Sequence, residues 1–243
     1  MGRVAMLTRY FLGLSLAGSL LLTGCGKKTP AVTPPPTSTA VQPAAGDQAA
    51  AQLARGDYLV KHVALCLDCH STRDWSIETA PIIPGTEGGG GELFPGPHGK
   101  LIAPNITPAA IGKWTDDQLY AALTAGQRPD GTHLFPIMTW PAYSQLAEDD
   151  LRAIIAVIRT LKPITAMPPA SELTVPVEEI AKSIPVAKER PARPAPSDPV
   201  AYGRYLVNAA GCIDCHTQMG PEGPLPNMAF AGGMRFDLPS GPV

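Results

Sequence analysis

The chain has 243 residues, with 19 basic against 21 acidic side chains and a formal net charge of −2. With no basic excess, the balance argues against a nucleic-acid binder that works by phosphate neutralisation. The 28 prolines, 24 glycines and 6% aromatics argue against one large sandwich or a doubly wound sheet, and the length admits one or two domains. Five cysteines leave one over under simple disulfide pairing.

Residues 1–24 read as a secretory signal peptide. Met1 to Arg9 carries two arginines and no acid, and Tyr10 to Leu22 is apolar. That run is shorter than the roughly 20 apolar residues needed to span a bilayer. Leu22-Thr23-Gly24-Cys25 resembles the lipobox of bacterial lipoproteins; the alternative is an ordinary signal peptide with an unrelated cysteine. The resemblance implies that Cys25 becomes the mature N-terminus and carries the lipid. It also implies a place on the periplasmic side of the bacterial cell envelope. Gly26 rather than Asp after the cysteine implies outer-membrane sorting in a Gram-negative cell. Residues 25–49 are rich in Pro, Thr and Ala without apolar periodicity, and are expected to be an extended membrane tether.

The other four cysteines sit in two copies of one motif, Cys66-Leu67-Asp68-Cys69-His70 and Cys212-Ile213-Asp214-Cys215-His216. C-x-x-C-H is the attachment signature of c-type haem. Two thiols one helical turn apart can each form a thioether to a haem vinyl, and the adjacent imidazole then lies beneath the iron. A redox disulfide of thioredoxin type needs a βαβ context that the sequence does not offer. A zinc site would need a second half close by, and the copies are far apart with His directly after each second Cys. Chance is a poor account, because the flanks repeat as well. Gly56-Asp57-Tyr58-Leu59-Val60 precedes the first copy and Gly203-Arg204-Tyr205-Leu206-Val207 the second, offset by one residue. The expected cofactors are therefore two covalently attached c-type haems, held by Cys66 and Cys69 and by Cys212 and Cys215, with His70 and His216 on the irons.

Residues 50–162 form the expected first domain. Ala50 to Leu65 is a plausible helix leading into the first motif. Residues 71–104, with Gly88 to Gly91, read as a loop wrapping the haem edge. Thr115 and Gln118 predict a capping box, with Trp114 and Leu119 as a hydrophobic staple, and the helix they open should end near Gly126. A last helix is expected from Glu148 to before Pro163, with Leu151, Ile154, Ile155, Ile158 and Leu161 on one face. In the loop ahead of it, Met138 is the natural distal iron ligand, since a thioether is soft and raises the reduction potential. Its rivals are Met167 and His133, then His62 and His98; ordinary core filling is the bland reading.

Residues 163–199 read as a Pro-rich interdomain linker, with a short helical turn at 177–182. The second domain, 200–243, carries no counterpart of the capped helix, the Met loop or the last helix, so it is expected to be an incomplete copy. Met219 lies too near His216 to cross to the other haem face; Met228 and Met234 could reach by chain length alone.

The segments Asn105-Ile106-Thr107-Pro108, Ile111 to Asp116, Pro136-Ile137-Met138 and the helix from Leu151 to Leu161 resemble the periplasmic diheme cytochrome c family. Some members are cytochrome subunits of alcohol or aldehyde dehydrogenases. The resemblance implies all-α cytochrome c domains in tandem, with His70 and Met138 on the first iron. The chain departs from it at Thr139-Trp140, where Pro and an aromatic are usual. Asn105 and Thr107 are equally suited to contact a haem propionate or to cap a turn. The expected function is single-electron transfer between a periplasmic donor, such as a dehydrogenase, and a respiratory acceptor. No Rossmann, P-loop or triad motif offers substrate chemistry. The alternative is a haem enzyme of peroxidase or thiosulfate-oxidising type with an open second haem. Expected partners are redox proteins and the membrane, with no nucleic acid.

Overall fold

The computed structural model describes residues 45–220, 223–235, 237–238 and 241–242. The signal peptide, Cys25 and most of the tether lie outside the described residues. The first helix, α1, runs Ala45–His62 and so starts within the last residues read as tether. Ala-rich sequence propagates a helix well. Its buried side comprises Gly56, Leu59 and Val60, spaced as one helical face.

The Cys66–Cys69 turn (α2) and Pro108–Ile111 (α3) are single turns. The next helix, α4, spans Asp116–Ala125. Its capping box is formed as expected: Gln118 N donates to Thr115 Oγ1 at 3.1 Å and Thr115 N to Gln118 Oε1 at 2.9 Å. It ends at Gly126, in the left-handed region. After the single turn Trp140–Tyr143 (α5), α6 runs Glu148–Thr160. Three acids in its first turn suit the positive end of the helix dipole. Leu151, Ile154, Ile155 and Ile158 are buried on its apolar stripe.

The main packing contact is α1 across α6. Gly56 makes it possible, because a Cβ there would lie 2.1 Å from the Ala153 carbonyl oxygen. Leu59, Val60, Leu119, Leu123, Leu146, Leu151 and Ile154 fill one core with Cys66 and Leu67, so the first motif is set into the hydrophobic centre.

The glycine-rich stretch holds a short hairpin, β1 (Leu93–Gly96) with β2 (Gly99–Ile102), in register Leu93 opposite Ile102. A third strand, β3 (Glu172–Leu173), joins β2 from the linker. None shows the alternation by which a strand is read from sequence.

The linker is held along its length. Asn105 Nδ2 donates to the Ile164 and Ala166 carbonyls at 2.7 and 3.2 Å, and Ile164 N donates to Thr107 Oγ1 at 3.1 Å. The helix α7, Val177–Ser183, brings Glu178 to His133, whose backbone N–H and Nδ1 lie 2.7 and 2.6 Å from its two oxygens.

Helix α8, Pro199–Ala209, is capped by Asp198, which accepts from Ala201 N at 3.0 Å, with Pro199 in the first position. It leads into the turn Cys212–Cys215, α9. Tyr205 and Ala209 are buried, and α8 packs on α5. Gly203 stands where Gly56 stands in the first copy, yet a Cβ on it would meet nothing within 4 Å. Val200 and Val207 beside it are exposed. From α1 onward the described chain forms one compact unit. Among the described residues, no helix is long and apolar enough to cross a membrane.

Candidate haem sites

Both motifs are built in the same way. Leu65, in the left-handed region at φ 50, precedes Cys66, and Gly211 at φ 63 precedes Cys212. Asp68 N donates to Leu65 O at 3.1 Å and Asp214 N to Gly211 O at 2.9 Å. His70 N and His216 N each donate to the first cysteine's carbonyl at 3.0 Å. The His70 carbonyl accepts from Gly90 N at 2.9 Å, and the His216 carbonyl from Gly232 N at 2.8 Å. Each copy thus offers two thiols one turn apart and an imidazole directly after them.

The one-residue offset between the copies is absorbed where the helix stops. Ala64 N reaches back five residues to Leu59 O at 2.7 Å, whereas Ala210 N reaches back four to Leu206 O at 2.8 Å. The first copy accommodates its extra residue in a wider closing turn.

All four cysteines are free thiols. Burial, helped by neighbouring Cys69, pushes the Cys66 thiol up to about 12. Burial also raises Cys69 and Cys215, so these three are protonated and unpaired at neutral pH.

The surroundings of the two histidines differ. His70 is 8% exposed, and its Nδ1 lies 2.7 Å from the Pro104 carbonyl oxygen. Burial lowers its pKa, opposed by that hydrogen bond. A carbonyl only accepts, so Nδ1 carries the proton and the lone pair is left on Nε2. His216 is exposed, and among the described residues its ring has no hydrogen-bond partner. The donor set of the first copy fits a covalently held haem: two protonated thiols, and an imidazole whose second nitrogen is fixed by a carbonyl. The second copy repeats the spacing without that carbonyl among the described residues.

Met138 is partly buried against the core cluster that contains Cys66 and Leu67. Its rivals are placed otherwise. His133 is held by Glu178, and His98 lies 3.2 Å from the Phe94 carbonyl with its ring tilted against Phe135. His62 lies against Tyr58, and Met167 is exposed in the linker. Asn105 and Thr107 act as turn and linker clamps. Asn105 Oδ1 accepts from Thr107 N and Oγ1 at 2.8 and 2.7 Å, and both amide hydrogens go to the linker. Neither side-chain amide hydrogen of Asn105 is left for a propionate. Sequence reasoning missed Pro104, whose role is played by its carbonyl, and Asp150, which joins Arg55, Arg193 and Tyr205.

No family model matches the chain. It is similar to the fructose dehydrogenase cytochrome subunit of Gluconobacter japonicus, 32% identical over 86% of this chain and 42% of that one. The cytochrome c subunit of the quinone-dependent alcohol dehydrogenase of Gluconobacter oxydans is 29% identical over 82% of this chain and 42% of its own. A diheme c-type cytochrome of Cereibacter sphaeroides is 29% identical over 63% and 53% respectively. The chain thus spans about half or less of the length of these relatives. The chain is therefore similar, over most of its own length, to cytochrome c subunits of dehydrogenases, and it carries two C-x-x-C-H motifs of the kind that attach c-type haem.

Proposed function

We propose that the chain is a diheme c-type cytochrome, lipid-anchored through Cys25 in the bacterial envelope. In this reading it passes single electrons from a periplasmic dehydrogenase to a respiratory acceptor. The observation that carries the diheme reading is the repeated local geometry, from the left-handed residue before Cys66 and Cys212 to the glycine N–H on each histidine carbonyl. The fold that goes with it is two cytochrome c-like units in tandem.

Cys66 and Cys69 would hold the first haem, and Cys212 and Cys215 the second. The bound haems supply a one-electron Fe(III)/Fe(II) couple. Pro104 fixes the His70 ring and makes Nε2 the better donor. Met138 would hold the iron of the first haem together with His70, and a thioether ligand would favour Fe(II) and raise the potential. His216 would hold the iron of the second haem.

Pyridine haemochrome quantitation should give two haems per chain; one would mean that the second motif is unused. Carbon monoxide difference spectra of Met138→Ala should show CO binding at a site closed in the wild type. A wild-type first haem that already binds CO defeats the carrier reading for that site. Mass spectrometry should find a lipid-modified Cys25 as the mature N-terminus; another unmodified terminus overturns the anchor.

The exposure of His216 favours a second reading, a haem enzyme with an open second iron. In that case the wild-type second haem binds CO or peroxide readily.

A further inference from the structure

Asp150 sits in the first turn of α6, outside both motifs, and is 0% exposed. A buried carboxylate is costly unless charges and hydrogen bonds close on it. Arg55 Nε donates to Oδ1 at 2.9 Å and Arg55 Nη2 to Oδ2 at 2.7 Å. Arg193 Nη1 donates to Oδ1 at 2.5 Å, and Tyr205 Oη to Oδ2 at 2.7 Å. Tyr205 Oη in turn accepts from Ala147 N at 2.9 Å, and Arg55 Nη1 donates to Tyr202 Oη at 2.8 Å. The participants come from α1, α6, the linker and α8, so one carboxylate fastens the second copy to the first.

The internal repeat shows that this is more than generic packing. Tyr205 occupies the position of Tyr58 in the shared Gly-x-Tyr-Leu-Val segment. Tyr58 is exposed, whereas Tyr205 is buried against Asp150. The same repeat position serves as surface in one copy and as an anchor in the other.

The residue before the second motif faces α5 of the first copy. A Cβ on Gly211, next to Cys212, would touch Thr139 Cγ2 at 3.7 Å and Ala142 Cβ at 3.8 Å, at the start of α5. The Tyr143 hydroxyl, on the same turn, donates to Ala64 O at 2.7 Å.

We propose that Asp150 is the positioning residue of the haem pair: through Tyr205 and Arg193 it seats α8, and with it the second C-x-x-C-H turn, against α5 of the first copy. The proposal rests on the diheme reading. The test uses the haem-loaded full chain, with Asp150→Asn and, as the milder variant, Tyr205→Phe. Haem content is measured first; a single haem per chain overturns the diheme reading and this proposal together. With two haems, pulsed electron paramagnetic resonance between the ferric irons should give one narrow distance distribution in the wild type. Both variants should broaden or lengthen it while each haem keeps its absorption spectrum. Hydrogen exchange at the Ala147 amide should be roughly tenfold faster in Tyr205→Phe. A distribution unchanged in both variants, or already broad in the wild type, overturns the positioning role and leaves the diheme reading standing.

Discussion

Two glycines at the same repeat position have opposite roles. Gly56 allows α1 to cross α6 at backbone contact, and Gly203 faces open space. Gly56→Ala should therefore cost about 2 kcal/mol, as overpacking does. Gly203→Ala should stabilise α8 by roughly 0.5–1 kcal/mol, through the lower entropy of the unfolded chain. Urea denaturation of both variants checks the pair; shifts of the same sign refute the assignment. The repeat itself was legible in the sequence, because Gly-x-Tyr-Leu-Val occurs twice. Which copy is covered was not, since that depends on a helix far away along the chain. The two C-x-x-C-H turns lie at the legible extreme: the spacing of Cys66, Cys69 and His70 is a purely local property of the chain. Pro104 lies at the other, because any residue offers a carbonyl and only the fold brings this one to His70.

The helices follow the sequence where their signals are local. Thr115 and Gln118 cap α4 as their spacing predicts, and Thr115→Ala should cost about 1 kcal/mol, measured as a lower urea midpoint. The apolar stripe of α6 follows its 3.6-residue period into the core. Helix α1 starts earlier than the composition suggests, because the alanines that follow the proline-rich stretch are already helical. The hairpin and the bound linker were not legible. Their bonds run between backbone groups of Gly- and Pro-rich sequence, and through Asn105, Thr107 and Ser171, whose partners are remote. A proline-rich strand of chain has few N–H donors but keeps its carbonyls, and the Asn105 amide takes two of them.

For the molecule as a whole, the Asp150 cluster ties stability to pH. Burial alone would raise that carboxyl, but hydrogen bonds from Arg55 and Tyr205 and the charges of Arg55 and Arg193 outweigh it. Its folded pKa therefore lies below the unfolded value of about 3.9. The stabilisation is fully present above about pH 4 and is lost as pH falls through the folded value. The difference in urea midpoint between wild type and Asp150→Asn should be constant from pH 7 to 5 and shrink below 4. A difference that grows on acidification would refute the assignment. The anchored linker also bears on kinetics. On a free linker the second site would diffuse within a tethered volume, and encounters with the first would follow an effective concentration set by linker length. Here Ile164, Ala166, Leu173, Glu178 and Arg193 are each fastened to the body. On the proposed diheme reading, electron exchange between the two sites is then expected to have a single rate constant rather than a distribution. Lengthening the chain between Ile184 and Lys188 leaves that rate unchanged, because the separation is set by contacts and not by reach.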